Sequence, residues 1–151
     1  MGYTLREDEI KWISDHYPGL RYDRVNQVLL GDFSFSAKYR NLEQITERYD
    51  IVVYFGRMRA IDIIPDVYEI SGKIQKFANL LNKPIIDLHC YSDGRLCMIR
   101  PDKKRSWYHN SFYIKTFMEH LTTHFYWVSY VARYGEEPWP GEKHGWDNSK
   151  T

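Results

Sequence analysis

The first twenty residues carry apolar side chains at the spacing of an amphipathic helix. The apolar positions that fall near one helical face are Leu5, Ile10, Ile13 and Tyr17. Thr4 and Glu7 stand at the spacing of a capping box, which predicts the start of the helix there. Pro18-Gly19 follows the last apolar position and predicts where the helix stops.

Further along, the pattern changes to alternation and to the β-branched and aromatic residues of strands. Residues 24–40 alternate in this way, with Gly31-Asp32 as a turn signal. Residues 49–55 form a second strand pattern. Residues 60–70 form a third, in which Pro65 indicates an edge or a bend. Three or four consecutive strands with short connections predict an antiparallel meander.

The C-terminal half contains helical spacing on either side of an irregular segment. Residues 70–82 have helical spacing but are short, and residues 83–101 predict an extended or looping stretch with an Asp93-Gly94 turn. Residues 110–135 predict a long helix that stops at Gly135. Its predicted core positions are Ile114, Phe117, Met118, Leu121, Phe125, Val128 and Ala132. This order of elements predicts an α+β fold with helices against one side of a small antiparallel sheet.

The composition is typical of one globular domain, which we place at residues 1–151. Hydrophobic residues make up 43% of the chain, enough for a packed core, and aromatic residues reach 17%. The formal net charge of +1 gives no overall field that favours nucleic acid or an anionic membrane as a partner. One basic run, Arg100–Tyr108, predicts a solvated loop, with contact to phosphate or to an acidic partner as the alternative.

The two cysteines, Cys90 and Cys97, are too few for a disulfide framework, and their spacing matches no common metal motif. The N-terminal residues are polar and lack the apolar core of a signal peptide. No run of residues has the length and apolar character of a membrane span. The sequence therefore predicts a cytoplasmic protein with reduced thiols, no bound metal and no other cofactor.

His120 and His124 stand four residues apart on the predicted long helix and therefore share a face. Zinc binding by this pair would need a third ligand, and the segment lacks the glutamate of the zinc-protease motif. We therefore expect these histidines on a solvated or interface face of the helix.

Four local features, taken with the order of elements, resemble the ubiquitin-conjugating enzyme family. Phe55 ends an aliphatic strand, and Pro65-Asp66-Val67 stands in the place of the family's Pro-x-Val segment. The family's active-site pattern is glycine, any residue, isoleucine or leucine, cysteine, and leucine or a similar residue. The positions that match this pattern in register are Gly94, Leu96, Cys97 and Met98. Trp107 and the long helix after it complete the resemblance, which implies a UBC-like fold over nearly the whole chain.

The sequence departs from that family at two positions. The family's His-Pro-Asn tripeptide, whose asparagine lies eight residues before the cysteine, is absent, and His89 stands at that offset. Gly56 replaces the proline that follows the strand. These departures resemble the divergent bacterial conjugating enzymes, in particular the stand-alone versions of CBASS antiphage operons, which are encoded next to a cGAS-like nucleotidyltransferase.

The resemblance implies that Cys97 accepts the C-terminal acyl group of a protein modifier as a thioester and passes it to an amine. A thiol suits this task because a thioester keeps the acyl-transfer potential that an amide loses. Gly94 predicts a turn that presents Cys97 at a loop, and Arg95 and Arg100 would favour its thiolate. Without the resemblance, Cys97 is expected to be a core residue of a strand. Cys90 has no motif support and is expected to be a structural thiol.

Two histidines are candidates for supporting roles. His89 takes the place of the asparagine that steadies the loop and the oxyanion in the family, and it can donate the same hydrogen bond or move a proton. The alternative for His89 is a packing histidine. His144 lies in the tail, where conjugating enzymes often place residues that receive the incoming lysine, and is a candidate base or desolvating neighbour.

The expected function is ubiquitin-conjugating-like acyl transfer in bacterial antiphage defence. The resemblance implies as partners a protein modifier or the C-terminus of the cGAS-like nucleotidyltransferase, together with an activating enzyme. One alternative is a catalytically inactive member of the same fold that only holds a modifier or a partner protein. Another is an unrelated α+β interaction protein with incidental cysteines.

Overall fold

The computed structural model describes residues 2–59, 64–98 and 112–140. In these ranges the chain forms three α-helices and a four-stranded antiparallel sheet, so the predicted α+β class is confirmed. The helices are α1, Glu7–His16; α2, Lys73–Leu81; and α3, Ile114–Tyr134. The strands are β1, Leu20–Asp23; β2, Val28–Ala37; β3, Ile45–Tyr54; and β4, Asp66–Glu69. Short 3₁₀ turns at Phe55–Arg57 and Ile85–Leu88 follow β3 and α2.

Helix α1 has a capping box, but its register differs from the predicted one. Arg6 is the N-cap residue, and its backbone N–H donates a hydrogen bond to the Glu9 carboxylate at 2.8 Å. The predicted box of Thr4 and Glu7 is therefore wrong. Glu7 instead pairs with Arg24 on the surface, so its carboxylate is not available to the helix start.

The strands pair in the order β1-β2-β3-β4, and the predicted antiparallel meander is confirmed. The predicted turn at Gly31-Asp32 is wrong, because both residues lie within β2. Gly31 serves a close approach there: its φ is +128°, and a Cβ would lie 2.3 Å from the carbonyl oxygen of Gly19. The actual turn precedes β2, where the Asp23 carboxylate accepts a hydrogen bond from the Val25 backbone N–H at 3.0 Å.

Helix α3 packs on the inner face of the sheet through aromatic rings. The Phe125 ring stacks on Tyr49 with centroids 4.2 Å apart and lies 5.6 Å from Phe33. The Tyr49 hydroxyl and the Ser129 hydroxyl are hydrogen-bonded at 2.6 Å. Burial raises the pKa of Tyr49 above its ordinary value, so this contact is made by the neutral phenol. The long helix and its stop at Gly135, which has φ +73°, are as predicted.

Helix α3 is buried on more than the single stripe that the sequence predicts. The predicted core positions are buried except Ala132, which is half-buried. His120 and His124 are buried as well, with 7% and 8% exposure, so the expectation of a solvated or interface face is wrong. Part of the cover over His124 is a second layer, in which the ring of His89, after the Ile85–Leu88 turn, packs against His124 and Trp127 of α3. None of the helices in the described ranges combines the length and apolar character needed to cross a membrane.

The second face of the sheet, which we call the outer face, carries the side chains that alternate with the buried ones. Leu30 of β2 pairs with Val52 of β3, and Val52 pairs with Tyr68 of β4. These three side chains are half-buried, as is Tyr54 at the end of β3. The outer face therefore ends, beside β4, in a pair of tyrosines whose ring centroids are 5.4 Å apart.

Candidate functional site

Both cysteines lie on a tight β-hairpin, residues 89–98, which we call the cysteine hairpin. Its turn is closed by two backbone hydrogen bonds, from Gly94 N–H to Tyr91 O at 2.9 Å and from Tyr91 N–H to Arg95 O at 2.8 Å. The Asp93 carboxylate accepts a bond from the Arg95 N–H at 3.0 Å, and Gly94 has φ +93°. This is a three-residue hairpin turn with a glycine bulge. The predicted Asp93-Gly94 turn is confirmed.

The cysteine hairpin extends the sheet beyond β4. The Leu96 N–H donates to the Val67 carbonyl at 2.8 Å, and the Glu69 N–H donates to the Gly94 carbonyl at 2.9 Å. A Cβ on Gly94 would lie 2.5 Å from the Glu69 carbonyl oxygen, so only glycine allows this approach. The segment that carries the cysteines is therefore fixed by sheet hydrogen bonds.

The two cysteines have opposite environments. Cys90 pairs with Leu96 across the hairpin, and both are buried, with 1% and 6% exposure. Because successive residues of an extended strand point to opposite faces, Cys97 lies on the other side, where it is half-buried. Burial raises the pKa of the Cys90 thiol to about 12, and the carboxylates of Glu69 and Asp93 act in the same direction. Neither cysteine is in a disulfide. Cys90 therefore stays a protonated core thiol at neutral pH.

Cys97 is held by its backbone and contacted at its sulfur. Its N–H donates a hydrogen bond to the His89 carbonyl oxygen at 2.9 Å. The Tyr91 hydroxyl donates to Cys97 Sγ at 3.6 Å. The Arg95 guanidinium lies over the Tyr91 ring, 4.4 Å from its centroid. The sulfur of Cys97 therefore has a hydroxyl donor within hydrogen-bonding distance.

His89 contacts Cys97 through its main chain, while its ring is directed toward helix α3. His89 has φ +55° at the end of the Ile85–Leu88 turn. Its ring lies edge-on to the Trp127 ring with centroids 4.7 Å apart, and its centroid is 6.4 Å from that of His124. The structure thus places the His89 main chain beside Cys97 across the hairpin and packs the His89 ring into the second layer of the core.

The other residues singled out in the sequence are divided between the core and the undescribed ranges. Phe55 and Val67, which belong to the resemblance, are buried core residues. Arg100, Trp107 and His144 lie outside the described residues. Within the described residues, Cys97 and the main chain of His89 are therefore the predicted site residues that come together.

The sequence reasoning missed Tyr91 as the partner of Cys97. A signal for it was present, because Tyr91 and Arg95 flank a three-residue turn and their side chains therefore share a face. Cys97 is two residues beyond Arg95 and belongs to the same face. The alternation of side chains along the two strands of the hairpin therefore predicts the contact between Tyr91 and Cys97 without any family motif.

No cluster of three or more histidine, cysteine, aspartate or glutamate side chains in the described part of the chain could hold a metal ion. Comparisons with protein-family models, with curated proteins and with solved structures found no match. Function therefore has to be inferred from the residues of the cysteine hairpin and their surroundings.

Proposed function

We propose that this chain is an acyl carrier of the ubiquitin-conjugating type, with Cys97 as the nucleophile. The observation that supports the proposal is the contrast between the two thiols. Cys97 is half-buried, with the Tyr91 hydroxyl 3.6 Å from its sulfur, whereas Cys90 is a buried thiol whose pKa is raised to about 12. The meander followed by a long helix agrees with the UBC-like fold, which is part of the same proposal.

The proposed reaction has two acyl transfers. In the first, Cys97 Sγ attacks the carbonyl carbon of the activated C-terminus of the modifier. The S–C bond forms while the bond to the leaving group breaks, and the thiol proton passes to the leaving group or to solvent. In the second, an amine nitrogen attacks the same carbon, the C–N bond forms and the C–S bond breaks. Sulfur then leaves as a thiolate, to which the Tyr91 hydroxyl is placed to donate a hydrogen bond, and the proton lost by the amine passes to that sulfur or to solvent.

The hairpin supplies positioning for both steps. The His89 carbonyl fixes the Cys97 main chain, and the sheet hydrogen bonds to β4 fix the turn before it. Positioning of this kind lowers the entropic barrier to attack. To stabilise an oxyanion, the His89 ring would have to leave its contact with Trp127. We therefore assign His89 the role of positioning Cys97 through its main-chain carbonyl. His144 remains the candidate for receiving the incoming amine.

We place this activity in the cytoplasm of a bacterium, in antiphage defence of the CBASS type. The modifier in that setting is the C-terminus of a cGAS-like nucleotidyltransferase, delivered by an activating enzyme. The support for this setting is the set of departures from the wider family, His89 and Gly56.

The test uses a short synthetic peptide with a C-terminal alkyl thioester, which any acyl-accepting cysteine can attack without an activating enzyme. The protein is incubated with the peptide thioester at neutral pH and its intact mass is measured before and after dithiothreitol. We expect a reductant-sensitive adduct on the wild type and on Cys90→Ala, and none on Cys97→Ala. An adduct that persists in Cys97→Ala and disappears in Cys90→Ala would refute the assignment of the nucleophile.

A second candidate is a binding module of the same fold that holds a modifier without reacting. The packing of the His89 ring against Trp127 favours it, because that ring does not lie at the sulfur. Binding of a modifier tail in a fluorescence anisotropy titration, combined with no thioester adduct on Cys97 in the mass assay above, would select this candidate.

A further inference from the structure

The outer face carries a continuous set of arginines and tyrosines that ends at Cys97, which we call the arginine–tyrosine surface. Its members are Tyr54, Arg57, Tyr68, Tyr91 and Arg95. Tyr54 and Tyr68 meet edge to face with centroids 5.4 Å apart, and Tyr68 pairs with Arg95 in the antiparallel register. Four strands and one turn contribute to this surface: β3 and the 3₁₀ turn after it, β4, and the two strands of the cysteine hairpin.

Both arginines of the surface lie over tyrosine rings. The Arg57 guanidinium is 3.8 Å from the centroid of Tyr54, and the Arg95 guanidinium is 4.4 Å from that of Tyr91. Stacking on a ring holds the plane of a guanidinium and leaves its N–H edges for other groups. Such an edge is suited to a carboxylate, which it binds through two parallel hydrogen bonds.

These two arginines have no ion pair with any carboxylate in the described ranges, unlike Arg6, Arg24, Arg48 and Arg133. Asp66 is the acidic residue of the outer face nearest to them in register, since it pairs with Tyr54. Among the ion pairs of the described residues, none joins Asp66 to either arginine. The surface therefore offers two cationic positions, on either side of β4, with one carboxylate between them.

The pairing register of the strands gives the length of extended peptide that this surface can hold. Tyr68 pairs with Arg95, so continuing the same antiparallel register places Cys97 level with Asp66, and Asp66 is level with Tyr54. Neighbouring strands are about 4.8 Å apart, so Tyr54 and Cys97 are separated by about 10 Å. An extended peptide rises about 3.3 Å per residue, and about three residues span that distance.

We propose that the arginine–tyrosine surface binds the extended C-terminal tail of an acidic partner polypeptide and delivers its last residue to Cys97. A carboxylate about three residues before the tail's end contacts Arg57, and a carboxylate near the end contacts Arg95. The rings of Tyr54 and Tyr68 form the floor of the binding surface, beneath the peptide. This inference rests on the proposed function for the direction of the tail, and it adds the class of modifier, which is one with acidic residues close to its C-terminus.

Binding is tested with the full chain and two fluorescein-labelled peptides that carry a free C-terminal carboxylate, measured by fluorescence anisotropy. One peptide has glutamates in its last four residues and the other has glutamines at the same positions. We expect the glutamate peptide to bind more tightly, and each of Arg57→Gln and Arg95→Gln to weaken it by about 2- to 5-fold. Asp66→Asn should strengthen binding, because it removes a negative charge that lies between the two arginines and repels the carboxylates of the peptide.

Arg21→Gln is the matched control, since Arg21 is an exposed arginine of the outer face that lies on β1, away from Cys97. It removes the same charge and should leave the affinity unchanged. Arg57 is outside the cysteine hairpin, so its variant keeps the test valid if Arg95→Gln loosens the hairpin. Equal affinity for the two peptides, or an equal loss in Arg21→Gln, would overturn the inference.

The failures of this inference and of the proposed function are distinguishable, because the free peptide cannot form a thioester. A Cys97 adduct with peptide thioesters, combined with equal binding of the two free peptides, refutes the acidic tail alone. Discrimination between the free peptides without any adduct supports the surface and refutes acyl transfer.

Discussion

The buried histidines of α3 should make the stability of the fold depend on pH. Burial lowers the pKa of His120 from 6.5 to about 4. Burial also lowers the pKa of His124 well below 6.5, and any charge on His89 and His120 acts in the same direction. Both side chains are therefore neutral in the folded chain, whereas the unfolded chain accepts protons near pH 6.5. Acidification favours the unfolded state, so stability is full above about pH 6.5 and is lost as pH falls toward about 4.

The size of this loss in the free energy of unfolding follows from the pKa of His120. The difference between 6.5 and about 4 corresponds to about 3 kcal/mol once the folded residue also titrates. At about pH 4.5, where the folded side chain is still mostly neutral, the loss from His120 is about 2.5 kcal/mol. A domain is typically stable by about 5–15 kcal/mol, so this loss is readily measured. His124 adds to it with the same sign.

The assay is urea unfolding followed by tryptophan fluorescence at about pH 7 and about pH 4.5. Carboxylates with lowered pKa values, such as Glu47 beside Lys73, also reduce stability in acid, so the comparison is made between variants. His120→Leu should show a pH-dependent loss about 2.5 kcal/mol smaller than the wild type. His16→Gln, which removes an exposed histidine of α1, is the control for the loss of an imidazole outside the core. A His120→Leu protein with the same pH dependence as the wild type would refute this reasoning.

Three further predictions concern single contacts. Tyr91→Phe should slow alkylation of Cys97 by iodoacetamide at neutral pH by about 2- to 5-fold, because a hydroxyl donor to the sulfur is lost, and an unchanged rate would contradict this. Gly31→Ala should lower the free energy of unfolding by about 2 kcal/mol or more, since its Cβ would lie 2.3 Å from the Gly19 carbonyl oxygen at φ +128°. A melting temperature equal to that of the wild type would count against this close approach. Tyr49→Phe should cost about 1 kcal/mol in urea unfolding by leaving a buried serine hydroxyl without its partner, and a stabilised variant would contradict this.

The parts of the fold that follow from local periodicity are predictable from the sequence. The long run of apolar residues before Gly135 predicts α3, and Asp93-Gly94 predicts the hairpin turn. In both cases, residues close in sequence determine the backbone. The meander also follows, since short connections leave antiparallel pairing as the simple solution.

The errors arise where distant contacts decide the outcome. Gly31 resembles a turn residue locally, but its place in β2 is set by the neighbouring carbonyl of Gly19 on the way into β1. His120 and His124 resemble a polar helical face, but both are buried in the fold, and the His89 ring from a distant segment packs against His124. Neither contact leaves a signal in the spacing of the residues involved.

The candidate site likewise combines features that local sequence determines with features that distant contacts determine. The glycine turn and the position of Cys97 after it follow from the sequence, because the hairpin is local. The direction of the His89 ring depends on Trp127, which is far away in the chain, and the sequence does not reveal it. The alignment of the outer-face arginines with Cys97 depends on the pairing of the hairpin with β4.

The placement of the two thiols on opposite faces of the cysteine hairpin has a consequence for oxidation. A disulfide requires two Cβ atoms that approach each other, and here Cys90 faces the core with Leu96 while Cys97 faces outward. Internal cross-linking would require one of the two side chains to cross to the other face of the hairpin. Cys97 should therefore exchange with small-molecule disulfides from solution: its sulfur forms a mixed disulfide while one small thiol leaves, a reductant reverses the step, and Cys90 stays intact. The folded chain is thus protected against tying Cys97 into an internal bridge.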